Sequence, residues 1–269
     1  MSNDWQQCGK PQKTINGKTN MKNIPEHLLK AILLCSIFSS PVFASPADYV
    51  LTPAVEQGER EIDFKYGTAS PVEGSSAQAS SVGAGYGVSE SWFTELYLKQ
   101  ERNGTQNASL AEWENKFQLT EAGQYPLDLG MVVELEAPLT SHVPWELAIG
   151  PLLQKEFGKL QLNGNLLFVR SFGQKDEDGL PYTTNLAYQW QVKYRWLTAF
   201  EFGLQGLGEA GEWDHWSPHG TQEHSMGPAI FGKLPLGNRQ ALRYNAALLF
   251  GSTQATPNHT FRMQVEYEF

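Results

Sequence analysis

The sequence predicts an all-β fold: an antiparallel up-and-down transmembrane β-barrel of about twelve strands, with short periplasmic turns and longer extracellular loops. Two observations carry this prediction. From residue 60 to residue 269, segments of about ten residues alternate between apolar and polar side chains, which is the period of a β-strand. That length fits a tilted strand that crosses a membrane better than a strand of a soluble sheet. The connections also alternate between tight turns and longer, more polar loops, and residues 101–108 are predicted to form one of the longer loops.

The start of the chain is predicted to be removed during export. Lys22 and Lys30 precede a short apolar stretch that ends in the small-x-small pattern Val-Phe-Ala. We therefore predict a cleavable signal peptide over residues 21–44, preceded by an N-terminal extension over residues 1–20 and followed by the barrel domain over residues 45–269. Whether the extension is translated stays open.

Charge and cysteine content exclude several functions. Both cysteines, Cys8 and Cys35, lie in the segment predicted to be removed, so the mature chain has no thiol chemistry, disulfide or Cys-based metal site. Removal of residues 1–44 also takes away five lysines and two acids, which leaves 15 basic against 27 acidic residues. This balance argues against nucleic acid as a partner. No cofactor is expected.

The apolar face of each strand is predicted to face lipid, and the polar face to line the lumen. Residues 186–196 show the clearest alternation. A soluble barrel would give the same pattern with the faces inverted. We favour the membrane barrel because twelve long strands enclose more volume than apolar side chains would fill. Trp92, Trp145, Tyr194 and Trp196 also lie near strand ends, as in an interfacial aromatic girdle.

The last strand, residues 261–269, alternates without a break and ends on Phe269. It resembles the carboxy-terminal strand of bacterial outer-membrane β-barrels, which ends in Phe. The resemblance implies that Tyr267 and Phe269 form an assembly signal for the barrel-assembly machinery. Because lipid does not tolerate a free strand edge, this strand is also expected to pair with the first strand, residues 60–66.

Two further segments, residues 150–158 and 227–232, together with the last strand, resemble a group of small, mostly uncharacterised proteobacterial outer-membrane proteins. The resemblance covers most of the mature chain. It implies the outer membrane of a Gram-negative bacterium as the location, reached after signal-peptide export, with outer-membrane lipid and lipopolysaccharide as partners. It implies no particular solute.

The polar faces of the strands are the candidate functional surface, and carboxylates outnumber cationic groups on them. We interpret the lumen as a narrow passive channel for small polar solutes that mildly favours cations or neutral molecules. A closed lumen, filled by cross-strand ion pairs in a structural or surface-binding barrel, remains the alternative. The lumen-lining candidates are Asp63, Lys65, Glu95, Lys99, Glu112, Glu114, Lys116, Glu134, Glu136, Lys193, Arg195, Glu201, Arg243, Arg262 and Glu266.

The predicted long loop, residues 208–225, contains three histidines, His215, His219 and His224. Imidazole groups bind metals, so these residues are weak candidates for a metal site with Asp214 or Glu223. Their spacing matches no known motif. A solvated or lid-forming loop is therefore the preferred interpretation, and no metal site is predicted.

An outer-membrane lipid hydrolase is the second alternative function. The chain contains the adjacent pairs Ser141-His142 and His224-Ser225. Adjacent residues of a strand point to opposite faces, so neither pair forms a nucleophile–base contact. The G-x-S-x-G pattern of many hydrolases is also missing. We therefore predict no catalytic residue and no enzymatic activity.

Overall fold

The computed structural model describes residues 45–70, 76–174 and 181–269. The predicted signal peptide and N-terminal extension lie outside the described residues. The described ranges form one short 3-10 helix, His219–Thr221, and the following strands: β1 (Arg60–Ala69), β2 (Ala77–Ser89), β3 (Trp92–Asn103), β4 (Gln106–Gln118), β5 (Asp128–Pro138), β6 (Trp145–Phe157), β7 (Leu160–Phe172), β8 (Thr184–Leu197), β9 (Phe200–Glu212), β10 (His215–Trp216), β11 (Glu223–Gly237), β12 (Gln240–Gly251) and β13 (His259–Glu268).

Twelve of these strands form a closed antiparallel barrel. Each wall strand pairs with its neighbours, and β13 pairs with both β12 and β1. In the closing pair, Ile62 lies opposite Tyr267 and Phe64 lies opposite Val265. The two-residue strand β10 pairs with the end of β9 outside this wall. The predicted fold class and the predicted closure by the last strand are therefore confirmed.

Most connections follow the predicted alternation, and the end with the longer loops is called the extracellular end. At the opposite, periplasmic end, two-residue turns join β6 to β7, β8 to β9 and β11 to β12. In the last of these turns, Asn238 and Arg239 both have positive φ, 52° and 65°. Two consecutive positive φ angles are the geometry of the tight hairpin turns that match strand twist.

One predicted connection is wrong. Residues 101–108 were expected to form a longer loop, but β3 and β4 continue until only residues 104–105 separate them. Gly104 has a φ of 61°, which allows a tight turn and lets the neighbouring backbone groups stay paired. β4 and β5 are joined at the periplasmic end by residues 119–127, which form the longest connection at that end.

The side chains of the wall are apolar outside and polar inside. On β3, Leu96 and Leu98 point outward with 65% and 61% of their surface exposed, whereas the intervening Glu95 and Tyr97 are 1% and 2% exposed. The same alternation places Ile230 outward and Phe231 inward on β11. This arrangement matches a membrane barrel and not a soluble barrel with an apolar interior. Among the described residues, none belongs to a helix that is long and apolar enough to cross a membrane.

The stretch before β1 lies inside the barrel, which the sequence did not predict. We call residues 45–58 the inner segment. Within it, Val50 is 4% exposed and Leu51 is 1% exposed. Leu51 packs in an apolar cluster with Val132, Leu152 and Leu167, which are inward-facing residues of β5, β6 and β7. The lumen therefore contains a piece of the chain's own backbone as well as side chains of the wall.

Candidate functional site: the lumen

The inner surface of the barrel divides into two parts with different chemistry. We call the inward-facing residues of β1–β5 the charged wall, because they include most of the predicted lumen carboxylates and lysines. We call the inward-facing residues of β6–β9 the amide wall, because its centre is a run of Asn and Gln side chains: Gln154, Gln161, Asn163, Asn165, Gln189, Gln191 and Gln205. All of these amide side chains are buried.

Lys99 is the centre of one ion-pair group in the charged wall. Its Nζ lies 2.9 Å from Glu112 Oε2 and 2.5 Å from Glu136 Oε2. These three side chains come from β3, β4 and β5, so the pairs join three neighbouring strands across the lumen face. Glu134, one position along the same face of β5, adds a further carboxylate. The group therefore carries a local excess of negative charge.

A second group in the charged wall is built around Asp63. Tyr97 donates its hydroxyl hydrogen to Asp63 Oδ2 at 3.0 Å, and Gln264 Nε2 donates to the same atom at 2.9 Å. Lys65 Nζ lies 3.6 Å from this oxygen and 3.5 Å from the centre of the Tyr97 ring. A cation placed over an aromatic face is stabilised by the ring's quadrupole. Asp63, Lys65 and Tyr97 are consequently fixed as one unit.

The glycines of β2 make room for this unit. A Cβ on Gly83 would collide with the Tyr97 ring, and a Cβ on Gly85 would collide with the ring of Phe93. Glycine at these two positions therefore allows the Tyr97 and Phe93 rings to pack against the inner face of β2.

Glu95 and Glu114 lie side by side between β3 and β4, each with 1% of its surface exposed. Glu114 accepts a hydrogen bond from the Tyr49 hydroxyl at 3.0 Å and lies 3.9 Å from Lys116 Nζ. Oε1 of Glu95 has no hydrogen-bond partner among the described residues. The charged wall therefore holds carboxylates at a higher density than its lysines neutralise.

The run of amides at the centre of the amide wall is held together by neutral hydrogen bonds. Gln161 Nε2 donates to Asn163 Oδ1 at 2.9 Å, and Asn163 Nδ2 donates to Gln154 Oε1 at 3.0 Å. Gln205 Nε2 donates to Gln191 Oε1 at 2.6 Å. An amide offers both a donor and an acceptor, so neighbouring amides satisfy one another across the strands.

The remaining lumen candidates lie on the inward faces of β8, β9, β12 and β13. Lys193 pairs with Glu201 at 3.2 Å. Arg262 Nη2 donates to Gln205 Oε1 at 2.7 Å and is 3% exposed. Every predicted lumen residue occupies an inward-facing position, and Arg243 is the most exposed member of the set at 45%.

Three carboxylates converge near the periplasmic end of β13. The oxygen atoms of Glu59, Glu266 and Glu268 lie close enough together to share a metal ion. The Arg243 guanidinium, however, lies among them, 3.5 Å from Glu266 and 3.8 Å from Glu59, and is paired with Glu268 as well. This arginine supplies the cation for the group, which makes an ion-pair network the simpler description.

The inner segment contacts both walls. Tyr49 bonds to Glu114 in the charged wall. Leu51 N–H donates to Gln189 Oε1 at 3.2 Å, and Asn165 Nδ2 donates to the Leu51 carbonyl oxygen at 3.0 Å. Sequence reasoning missed these contacts because the segment shows no strand alternation. Its available signal was the apolar run Tyr49-Val50-Leu51 in a stretch that is otherwise rich in small and polar residues.

At the extracellular mouth, a cavity of about 290 Å³ lies between the ends of β8, β9 and β11. Glu209, Glu212 and Glu223 line it together with the polar groups of Thr183, Asn185, Gly211, Ser217 and Thr221. Asn185 Nδ2 donates to Glu209 Oε1 at 2.7 Å. Entry from this side therefore passes carboxylates.

The structure does not bring the side chains of the three loop histidines together around one point. His224 uses both ring nitrogens in hydrogen bonds, to the Tyr188 hydroxyl at 2.7 Å and to Gln222 Oε1 at 2.8 Å. Its ring packs against that of His219, with centroids 5.7 Å apart. His215 is exposed on β10. Among the described residues, the ligand atoms of these three side chains do not converge.

The structure also gives no Ser–His contact at the pair His224-Ser225. Ser225 Oγ donates to the Leu207 carbonyl oxygen at 3.3 Å, whereas the His224 ring is directed to Tyr188.

The predicted assembly-signal residues Tyr267 and Phe269 stack with ring centroids 5.6 Å apart, and Phe269 N–H donates to the Arg60 carbonyl oxygen at 2.9 Å. They lie where the last strand meets the first.

Comparison with known proteins identifies the fold. No family model and no curated protein sequence matches this chain. Among solved structures, the NanC porin superposes with a TM-score of 0.54 at 12% identity, covering 77% of this chain and 98% of that one. An outer membrane channel from Pseudomonas putida F1 gives a TM-score of 0.54 at 12% identity, with 84% and 99% covered.

The KdgM porin, in a complex with disordered oligogalacturonate, gives a TM-score of 0.52 at 6% identity, with 78% of this chain and 98% of that one covered. These identities are too low to transfer a substrate. The superpositions show that the barrel has the architecture of outer-membrane porins and channels.

Proposed function

We propose that this protein is a passive channel of the Gram-negative outer membrane that conducts small polar solutes. The observation that carries the proposal is the closed barrel with an apolar exterior and an interior lined by charged and amide side chains. An apolar belt suits lipid, and a polar lumen suits water and dissolved molecules. The similarity of the fold to the NanC and KdgM porins supports the same conclusion.

The solutes that we propose are cations and small neutral molecules. Lys99 is outnumbered by the carboxylates of Glu112, Glu134 and Glu136 in the charged wall, and Glu209 and Glu223 line the mouth. Rings of acidic groups lower the cost of entry for positive charge and raise it for negative charge. Oligogalacturonate, named for the KdgM complex, is a polyanion. The charge of the present lumen does not favour such a solute.

Planar-bilayer recordings of the purified, folded protein test the channel. We expect discrete conductance steps, and in a KCl gradient we expect a reversal potential of the sign given by a cation-preferring pore. The proposal would be refuted if the folded, inserted barrel gave no conductance either as the wild type or after residues 47–55 were replaced by a Gly/Ser stretch. That outcome would instead favour the alternative of a closed structural or surface-binding barrel.

The origin of the preference is tested with matched charge variants. Glu209→Gln with Glu223→Gln removes two carboxylates from the mouth, and the reversal potential should move toward zero. Glu90→Gln with Glu121→Gln removes the same charge from exposed periplasmic connections and should have little effect, since exposed charges are screened within about 8–10 Å. Equal shifts from both pairs would locate the selectivity outside the mouth.

Three further expectations accompany this function. We infer that residues 21–44 direct export and are cleaved, and that Tyr267 and Phe269 are read by the barrel-assembly machinery. The paired, aromatic end of β13 supports the second inference. We also infer that the chain belongs to the small, twelve-stranded proteobacterial group that its sequence resembles, with lipopolysaccharide and outer-membrane lipid around the barrel. Amino-terminal sequencing of the membrane-bound protein would test the cleavage site.

A further inference from the structure

We propose that the inner segment, residues 45–58, is a removable plug of the lumen, and that Asn165 and Gln189 form the site that holds it. This inference rests on the channel function proposed above. It goes further, because it states which part of the molecule limits conduction and which residues control that part.

The inner segment runs along most of the lumen. Near the extracellular end, the backbone of Pro46 lies so close to Gly67 of β1 that a Cβ there would collide with it. Leu51 lies at the middle of the amide wall, and Val55 N–H donates to Gln118 Oε1 at 2.9 Å at the last residue of β4. At the periplasmic end, Gly58 N–H donates to the Gly87 carbonyl oxygen at 2.8 Å. Any solute that crosses the barrel must pass beside this segment.

The holding site recognises both backbone groups of one residue. Gln189 Oε1 accepts the N–H of Leu51, and Asn165 Nδ2 donates to the carbonyl oxygen of Leu51. Asn165 Nδ2 also donates to Gln189 Oε1 at 3.0 Å, which orients the two amides relative to each other. The Leu51 side chain fills the adjacent apolar cluster. The paired amides and the apolar pocket together form a binding site for a short piece of extended chain.

The barrel wall does not depend on the inner segment for closure. The pairing of β1 with β13 closes the wall, and the inner segment lies before β1. In the part of the chain that the structure describes, its bonds near the middle of the lumen go to wall side chains and form no strand ladder. Such a segment can leave as a local opening event, with the wall strands still paired.

A reversible cross-link tests the plug directly. In a Cys8→Ser, Cys35→Ser background, Pro53→Cys and Gly130→Cys place two thiols at positions where the Cβ atoms would be 2.7 Å apart. A disulfide needs about 3.8 Å, so a small outward shift allows it to form. We expect the oxidised protein to lose the larger conductance states and the reduced protein to regain them. The two single-cysteine variants are the controls for oxidation without a cross-link.

A second set of variants removes the contacts that hold the inner segment in the lumen. Replacement of residues 47–55 by a Gly/Ser stretch of equal length should give a larger conductance that is insensitive to oxidation. Asn165→Ala with Gln189→Ala should also raise the conductance or the open fraction. Gln154→Ala with Gln161→Ala removes the same number of buried amides, but these two residues bond to each other and to Asn163 and not to the inner segment. This control should change the open fraction less than Asn165→Ala with Gln189→Ala does.

The outcomes separate the two proposals. If the Gly/Ser replacement and the wild type conduct equally, or if the oxidised and reduced cross-link variants conduct equally, the plug proposal is overturned and the channel remains. If the Asn165/Gln189 and Gln154/Gln161 pairs change conductance to the same extent, the holding site is wrong. If no variant conducts, including the Gly/Ser replacement, the channel function itself fails.

Discussion

The charged wall and the amide wall line the same lumen, yet they solve the problem of burying polar groups in different ways. In the charged wall, Lys99 has two carboxylate partners, and the loss of Lys99 leaves both carboxylates without their cation. In the amide wall, Gln154, Gln161 and Asn163 exchange neutral hydrogen bonds. The carboxylates and lysines of the charged wall create an electrostatic field, whereas the run of amides provides neutral binding groups.

This difference suggests a division of roles within the lumen. The charged wall is suited to selecting solutes by charge, because unneutralised carboxylates act on any ion that passes. The amide wall is suited to holding a neutral chain, and it holds the backbone of Leu51 in this structure. The two walls should therefore respond differently to substitution.

The largest expected effect is in the charged wall. Lys99→Met removes the partner of Glu112 and Glu136, whose side chains are 13% and 18% exposed. We expect a loss of about 3 kcal/mol in the free energy of unfolding, because the two buried carboxylates lose the cation that compensates them. Urea titration of the barrel in lipid vesicles measures it. Adding Glu112→Gln should recover part of the loss, and a cost no larger than that of an exposed pair, under about 1 kcal/mol, would contradict the description.

A glycine comparison tests how tightly the charged wall is packed. Gly83→Ala drives a methyl group into the Tyr97 ring, which is held by its bond to Asp63. We expect a cost of about 1–3 kcal/mol, as for other overpacked sites. Gly164→Ala on β7 is the control, because nothing lies within 4 Å of its added Cβ. If the two substitutions cost the same in urea titrations, Tyr97 is not fixed as the structure shows it.

The smallest expected effect is in the amide wall. Asn163→Ala removes three neutral hydrogen bonds and leaves the amides that bond to Asn163 partly unsatisfied. We expect a cost of about 1–2 kcal/mol. The cost of Asn163→Ala should be the same at low and high salt. The cost of Lys99→Met should fall as salt screens the two carboxylates that have lost their cation. Equal salt dependence of the two variants would remove the distinction between the walls.

Much of the barrel could be predicted from the sequence, because strand period is a local property. The alternation of residues 186–196 and 261–269 determined which side chains share a face. The connection at residues 101–108 was predicted wrongly for a related reason. Polar residues near the extracellular end of a strand continue the ladder when a glycine, here Gly104, permits a tight turn.

The lumen residues also differ in how far they could be predicted from the sequence. The charged residues, such as Lys99 and Glu112, were identified because charge on an otherwise alternating strand stands out. The amides Asn165 and Gln189 were visible on the polar faces, but nothing local distinguished them from ordinary strand residues. They are 24 positions apart in the chain, and only the pairing of β7 with β8 brings them together.

The sequence by itself determined the fold class, the inward and outward faces and the role of the last strand in closure, because each follows from period-two alternation and the requirement to satisfy backbone groups in lipid. The tertiary structure alone decided that residues 45–58 lie inside the barrel, where Leu51 meets residues more than a hundred positions away in the chain. The physical reason is that this segment is held by side-chain amides and an apolar pocket assembled from separate strands, and such a site leaves no periodic signal in any one of them.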